Sequence, residues 1–219
     1  MNIKKETFEF LETLKNNNSK DWFDNNRNDY EESRQNVIQF IDAIISELQT
    51  KDSSIKGQTA KSCLFRINRD VRFSKNKQPY KTNFGASINS EGRKSNKAGY
   101  YIHIEPGSSF IGGGLYMPDG VVLAKLRQEI DYNSKEFHKI LTNKSFKKSY
   151  KDLWLEDSLS LPPRNYDKNH PDLKYLKLKS YIATRDLTDE QLLQLPVKEF
   201  VKHLSNLTPL IQFLNVAFD

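Results

Sequence analysis

The sequence predicts an α+β fold in which a mainly antiparallel sheet is flanked by N-terminal and C-terminal helices. Three observations predict it. Apolar residues recur at three- and four-residue steps up to Leu48, alternate at two-residue steps between Phe84 and Met117, and return to helical spacing after Asp119. Strands that follow one another without helices between them pair antiparallel, and no strand-helix alternation suggests a doubly wound sheet.

The elements can be taken in order. Phe8, Leu11 and Leu14 mark the stripe of a first helix, "NNNSK" interrupts it, and Ser19 can cap a short helix holding Trp22 and Phe23. From about Asp29 to Leu48 the set Val37, Ile38, Ile41, Ile44, Ile45 and Leu48 is one face of a long amphipathic helix. Cys63, Phe65 and Ile67 alternate with Ser62, Leu64 and Arg66, and later Phe84, Ala86 and Ile88 with Gly85 and Ser87, and both runs read as strands. "GYYIHIE" and "SFIGGGLYM" flank Pro106-Gly107-Ser108, which makes a hairpin, and the polar "SEGRKSNKAG" joins a second antiparallel pair. Asp119 can cap "GVVLAKLRQEID", further helices cover Lys135 to Leu141 and part of Ser145 to Leu153, and "LPPRN" breaks the pattern. Leu176 to Asp186 has strand character, Thr188 begins a capped segment, Pro196 opens a helix bearing Val197, Phe200, Val201 and Leu204, and Pro209 breaks it.

A chain of 219 residues, 37% of them hydrophobic and 11% aromatic, can bury a proper core. No repeat or low-complexity linker divides it, so a single domain spanning residues 1–219 is expected. No run approaches the roughly 18 apolar residues of a membrane span, and "MNIKKETFEF" lacks the apolar stretch of a secretory signal. A single cysteine, Cys63, suits a reducing compartment and reads as a small buried residue. The chain is therefore read as cytoplasmic, with no membrane partner.

Charge is concentrated in one place. The formal net charge is +6, and "RINRDVRFSKNKQPYK" supplies +5 of it through Arg66, Arg69, Arg72, Lys75, Lys77 and Lys81 against Asp70. The rest of the chain holds 28 basic and 27 acidic side chains. A protein that coats duplex DNA spreads its cations along a face, whereas a local excess fits a discrete anion at least as well. If the segment is extended, Cys63, Phe65, Ile67, Val71 and Phe73 face the core and Arg66, Asn68, Asp70 and Arg72 the other side. Arg69 would then point inward, so a turn or bulge near "NRDV" is the alternative. Asp70 can take one bidentate arginine, which leaves a surplus of cations followed by Tyr80 and Lys81.

Other motifs are thinner. The glycines of "FIGGGLYMPDG" match neither phosphate-loop spacing, and inside a strand they mark a bulge or a close approach. The helix after Met117-Pro118-Asp119 offers free N–H groups to an anion. Tyr101, His103 and Glu105 share one face of a strand, where His-x-Glu is the best acid/base pair in the chain, although a solvated strand face looks the same. His138, His170 and His203 are scattered. There is no zinc-ligand spacing, no H-E-x-x-H, C-x-x-C or EF-hand loop, and no G-x-S-x-G elbow, so neither metal nor cofactor is expected. Trp22 and Trp154 read as core or rim aromatics rather than as stacking platforms for bases.

Several blocks in order, "KDWFDNNRNDYE", "FRINRDVRFSKNKQPYKTNFGA", "GYYIHIEPGSSFIGGGLYMPD" with "LRQEID", and "LKYLKLKSY", resemble the domain-of-unknown-function family 2461, found in bacteria and fungi. The family often has an acid where this chain has Asn76. The resemblance implies one self-contained domain and carries no activity, cofactor or catalytic residue with it.

The expectation is that the basic loop and the glycine-rich hairpin surround one concave site for a phosphorylated or carboxylated small molecule. Its donors would be Arg66, Arg69, Arg72, Lys75, Lys77, Tyr80 and Lys81, and His103 or Glu105 would be the acid or base if chemistry occurs. Two rivals stay open: nucleic-acid binding through the same patch, and a module that meets an acidic protein partner.

Overall fold

The computed structural model describes residues 1–218. Its elements run α1 Lys5–Asn16, α2 Lys20–Asn25, α3 Arg27–Leu48, α4 Ala60–Cys63, β1 Phe84–Ile88, β2 Gly99–Ile104, β3 Ser109–Leu115, α5 Gly120–Tyr132, α6 Ser134–Thr142, α7 Lys144–Tyr150, α8 Leu173–Leu176, β4 Tyr181–Leu187, α9 Asp189–Gln194, α10 Val197–Leu204 and α11 Thr208–Asn215. The strands form one antiparallel sheet in the order β1-β2-β3-β4, with helices before and after it. The fold is α+β.

Period and caps explain most of these elements. The α3 stripe is buried throughout, and Phe40 of α3 meets Phe200 of α10 edge-on at 5.4 Å. The Ser19 hydroxyl accepts from the Trp22 N–H, Asp119 accepts from the N–H groups of Val121 and Val122, and Thr188 with Gln191 makes a capping box. Pro209 sits in the first turn of α11, where its missing N–H costs nothing. Phe84, Ala86, Ile88, Tyr100, Ile102, Ile104, Ile111 and Leu115 put one face of the sheet into the helical core. Among the described residues no helix is long and apolar enough to cross a membrane.

The structure departs from the sequence pattern at two places. Cys63 ends helix α4 instead of lying in a strand, because Thr59 and Ser62 form a reciprocal capping box that closes the turn first. Cys63 is still buried, but Phe65 is 37% and Phe73 96% exposed, so the extended arrangement with both facing the core is overturned. The strand character of Leu176 to Asp186 begins only at Tyr181. Leu176 ends a helical turn and Leu178 makes an isolated bridge to Ser158.

Away from the sheet, a buried polar knot fixes α6 against α8. Asp172, 2% exposed, accepts from the Ser134 hydroxyl and the His138 ring, while its own N–H donates to His170 Nδ1 and His170 Nε2 meets Asp131. Burial pushes the Asp172 carboxyl up, yet the hydrogen bonds from Ser134 and His138 outweigh it and hold the group below its ordinary value. Two histidines scattered in sequence thus gather around one carboxylate.

Candidate functional site

The face of the sheet turned away from the core is the interesting one. A cavity of about 910 Å³ lies across it. Its floor is made by Tyr101 and His103 of β2, Phe110, Gly112 and Gly114 of β3, and Ile182 and Thr184 of β4. Phe65 and Trp154 stand at opposite sides. The loop between β1 and β2 brings Arg93, Ser95, Asn96 and Lys97 to one end, and Tyr116, Met117 and Pro118 form a lip there. Gly99 pairs with Gly114 and His103 with Phe110, so the cationic end and the histidine end are four residues apart along β2, about 13 Å.

The glycines are dictated by the sheet. A Cβ on Gly112 would come within 2.5 Å of the Ala183 carbonyl, and Gly114 has φ +121. The consequence is a floor at backbone level at Gly112 and Gly114, with the Tyr101 ring reaching across Gly85 on its β1 side. Met117 at the lip has φ 44, held by its N–H donating to the Ser180 hydroxyl at 2.9 Å, and Tyr116 and Met117 are left 64% and 61% exposed.

The histidine end is a connected network. His103 Nε2 lies 3.1 Å from Glu105 Oε2, and Thr82 donates to Glu105 Oε1 at 2.7 Å. A carboxylate only accepts, so Nε2 carries the hydrogen and Nδ1 is the acceptor. Nδ1 is faced by the Tyr101 hydroxyl at 3.3 Å and the Asn83 amide at 3.4 Å. The ring stacks on Phe110 at 4.8 Å. Burial pushes the Glu105 carboxyl up, but the bonds from Thr82 and His103 outweigh it and leave the group below its ordinary value. Burial also raises the Tyr101 phenol. With side chains only 15% and 23% exposed, His103 and Glu105 are not the solvated strand face that alternation alone also allowed.

At the other end Arg93 donates through Nη1 to the carbonyls of Lys61 and Ser62, at 2.7 and 3.0 Å, and meets no carboxylate among the described residues. Its Nε and Nη2 donors stay available. Lys97 is instead paired with Glu91 at 3.0 Å, and the Glu91 carboxyl is lowered by Lys97 and by Ser95.

Of the residues singled out in the sequence, His103 lines this cavity and Glu105 touches it through His103; none of the seven basic-loop donors lines it. The loop is built on itself. Arg69 N–H donates to the Pro79 carbonyl and Lys81 N–H to that of Ile67, so two arms pair and residues 70–78 project between them. The Arg69 guanidinium bonds the Gln78 carbonyl and Ser74, and the Lys77 and Lys81 ammonium groups bond the carbonyls of Val71 and Arg66. Burial, with Arg66 nearby, lowers the Lys81 ammonium, which sits 5.3 Å above the Phe65 ring. Arg72 clamps Asp70 through two nitrogens, both side chains well exposed, and this pair joins no strand to another. Arg66 and Lys75 make no ion pair among the described residues. Tyr80 is a core residue stacked on Phe23 at 4.0 Å, its N–H and carbonyl both met by the Asn18 amide at 3.0 Å. Of the N–H groups offered by the start of α5, those of Val121 and Val122 are taken by Asp119.

Arg93, Phe110, Tyr116 and Trp154 were not singled out as site residues from the sequence. Nothing local marks them; they become neighbours only when the sheet forms. No group of metal-ligating side chains occurs among the described residues.

Comparison with known proteins bears on the whole chain. A family model described as "Conserved hypothetical protein (DUF2461)" matches residues 6–213. No curated protein and no solved structure matches.

Proposed function

The chain belongs to the DUF2461 family of conserved hypothetical proteins, and on that premise we propose that it binds and acts on a small phosphorylated or carboxylated molecule in the cleft on the open sheet face. The observation that supports this is the cavity itself. One space of about 910 Å³, within the range of small-ligand sites, holds at one end an arginine without an acidic partner among the described residues and at the other a histidine set by a carboxylate. The anion sits on Arg93 Nε and Nη2. His103 acts as the base: a proton arrives on Nδ1, directly or through the Tyr101 hydroxyl, and the Nε2–H of the resulting imidazolium stays on Glu105.

Melting curves of the full chain with a panel of phosphorylated and carboxylated metabolites test the reading. A ligand at a hundred times its Kd raises stability by about 2.7 kcal/mol, and Arg93→Ala removes the shift. A panel in which no member moves the curve would overturn it.

One observation favours a second reading. Phe73 is 96% exposed at the tip of the basic loop, with the Arg72 guanidinium 5.9 Å from its ring, and an exposed aromatic among cations suits single-stranded nucleic acid. Titration with short DNA and RNA at several salt concentrations decides it, since affinity falls with salt by a slope of about 0.7 per neutralised phosphate on single strands. Flat, negligible binding would remove nucleic acid from consideration. Loss of a captured acidic protein at high salt would point to the protein-partner reading.

A further inference from the structure

Resting on the cleft reading above, we propose that the ligand carries a planar aromatic ring system, laid on the glycine floor with its anionic group toward Arg93 and its far edge toward His103.

Three features lead to this class of ligand. The first is shape. Gly112 and Gly114 put no side chain on this face, so the middle of the floor is bare peptide between Phe110, Ile182 and Thr184, and on the β1 side the Tyr101 ring lies over Gly85. That makes a slot for a flat body. The second is the lining. Phe65, Tyr101, Phe110, Tyr116 and Trp154 border the cavity, and rings prefer to meet rings offset or edge-on at 4.5 to 7 Å. His103 is already stacked on Phe110 in this way. The third is where the polar groups are. Side-chain donors and acceptors gather at the loop end, in Arg93, Ser95, Asn96 and Lys97, with the α5-capping Asp119 at the lip, while the rest of the lining offers the hydroxyls of Ser87, Thr184 and Tyr101 beside the His103 ring. A polyol lying there would leave hydroxyl groups without partners, which is costly; an aromatic body has none to satisfy. Sequence reading treats Trp154 as a core or rim aromatic rather than a stacking platform for bases, and the proposal gives it a stacking role toward the ring of a small ligand.

Matched probes separate ring from charge. Phenyl phosphate against cyclohexyl phosphate, benzoate against cyclohexanecarboxylate, and AMP against ribose 5-phosphate are titrated calorimetrically into the full chain. The aromatic member of each pair binds about three- to tenfold tighter and quenches the fluorescence of Trp154. Trp154→Leu and, on an exposed position that folding tolerates, Tyr116→Ala both narrow that ratio. Arg93→Ala weakens both members of a pair alike. AMP much tighter than phenyl phosphate identifies the aromatic anion as a nucleotide, and the reverse order identifies a simple aromatic acid; both support the proposal. Equal affinities within every pair overturn the planar-ring inference and leave the anion cleft standing. If no member of any pair binds, the cleft reading itself fails.

Discussion

The basic loop and the sheet-face cleft differ in how much of their positive charge is spent on their own chain. In the loop most cations face their own chain: Arg69, Lys77 and Lys81 bond backbone carbonyls, and Arg72 bonds Asp70. In the cleft there are few cations; Arg93 also bonds backbone carbonyls, but through Nη1 alone, which leaves Nε and Nη2 without a partner among the described residues beside a glycine floor edged by aromatic rings. A dense run of charge in sequence is therefore a poor guide to where an anion would be held. Density reports surplus, whereas binding needs donors left over beside a concave surface that water leaves readily.

The largest expected effect tests whether the loop is a structural device. Tyr80→Ala removes a buried ring stacked on Phe23, and urea unfolding should show a loss of about 3–5 kcal/mol; a loss near zero would mean that the loop does not anchor the fold and that the contrast fails. Next, Arg93→Ala should weaken phenyl phosphate binding about 10- to 100-fold, the value of a charged hydrogen bond, while Arg72→Ala changes it less than about twofold. The reverse order would move the anion site back to the loop.

A smaller effect concerns pH. The Glu105 carboxyl is held below its ordinary value in the folded chain, so its stabilisation is present above the unfolded carboxylate value, about 4, and fades as pH falls through the lower folded one. Glu105→Gln should cost about 1 kcal/mol at neutral pH, with its unfolding curve meeting that of the wild type in acid. A gap of constant size would assign Glu105 to packing alone. The same substitution should alter the ¹⁵N shifts of His103, which in the wild type report hydrogen on Nε2. Smallest of all, Asp70→Ala should leave the melting temperature unmoved within error, because its pair with Arg72 lies in water.

How far the sequence could be read follows the range of the interactions. Local signals carried well: the three-and-four stripe of α3, the cap at Asp119, the turn at Pro106-Gly107-Ser108 and the break at Pro209 all lie within a few residues of what they control. His103 and Glu105 were visible because strand alternation puts them on one face. Misreadings came where two local signals competed, as at Cys63, where alternation argued for a strand and the Thr59–Ser62 box for a helix. What could not be read was long-range. Arg93 looks like any cation of a polar loop until β1 and β2 pair, and Trp154 reaches the cleft from 44 residues beyond Phe110 by joining the outer side of β4. The Asn18 amide, matching both backbone groups of Tyr80 across 62 residues, has no sequence signature at all.

The two side walls of the cleft also finish the sheet. The N–H of Phe65 donates to the Gly85 carbonyl beside β1, and the N–H of Trp154 donates to the Ile182 carbonyl beside β4. An unfinished sheet edge invites pairing with another chain, so prising these walls apart to widen the cleft also bares a place where a second molecule can add a strand. With both bonds made, the amides of Phe65 and Trp154 should take up deuterium more slowly than those of the projecting residues 70–78.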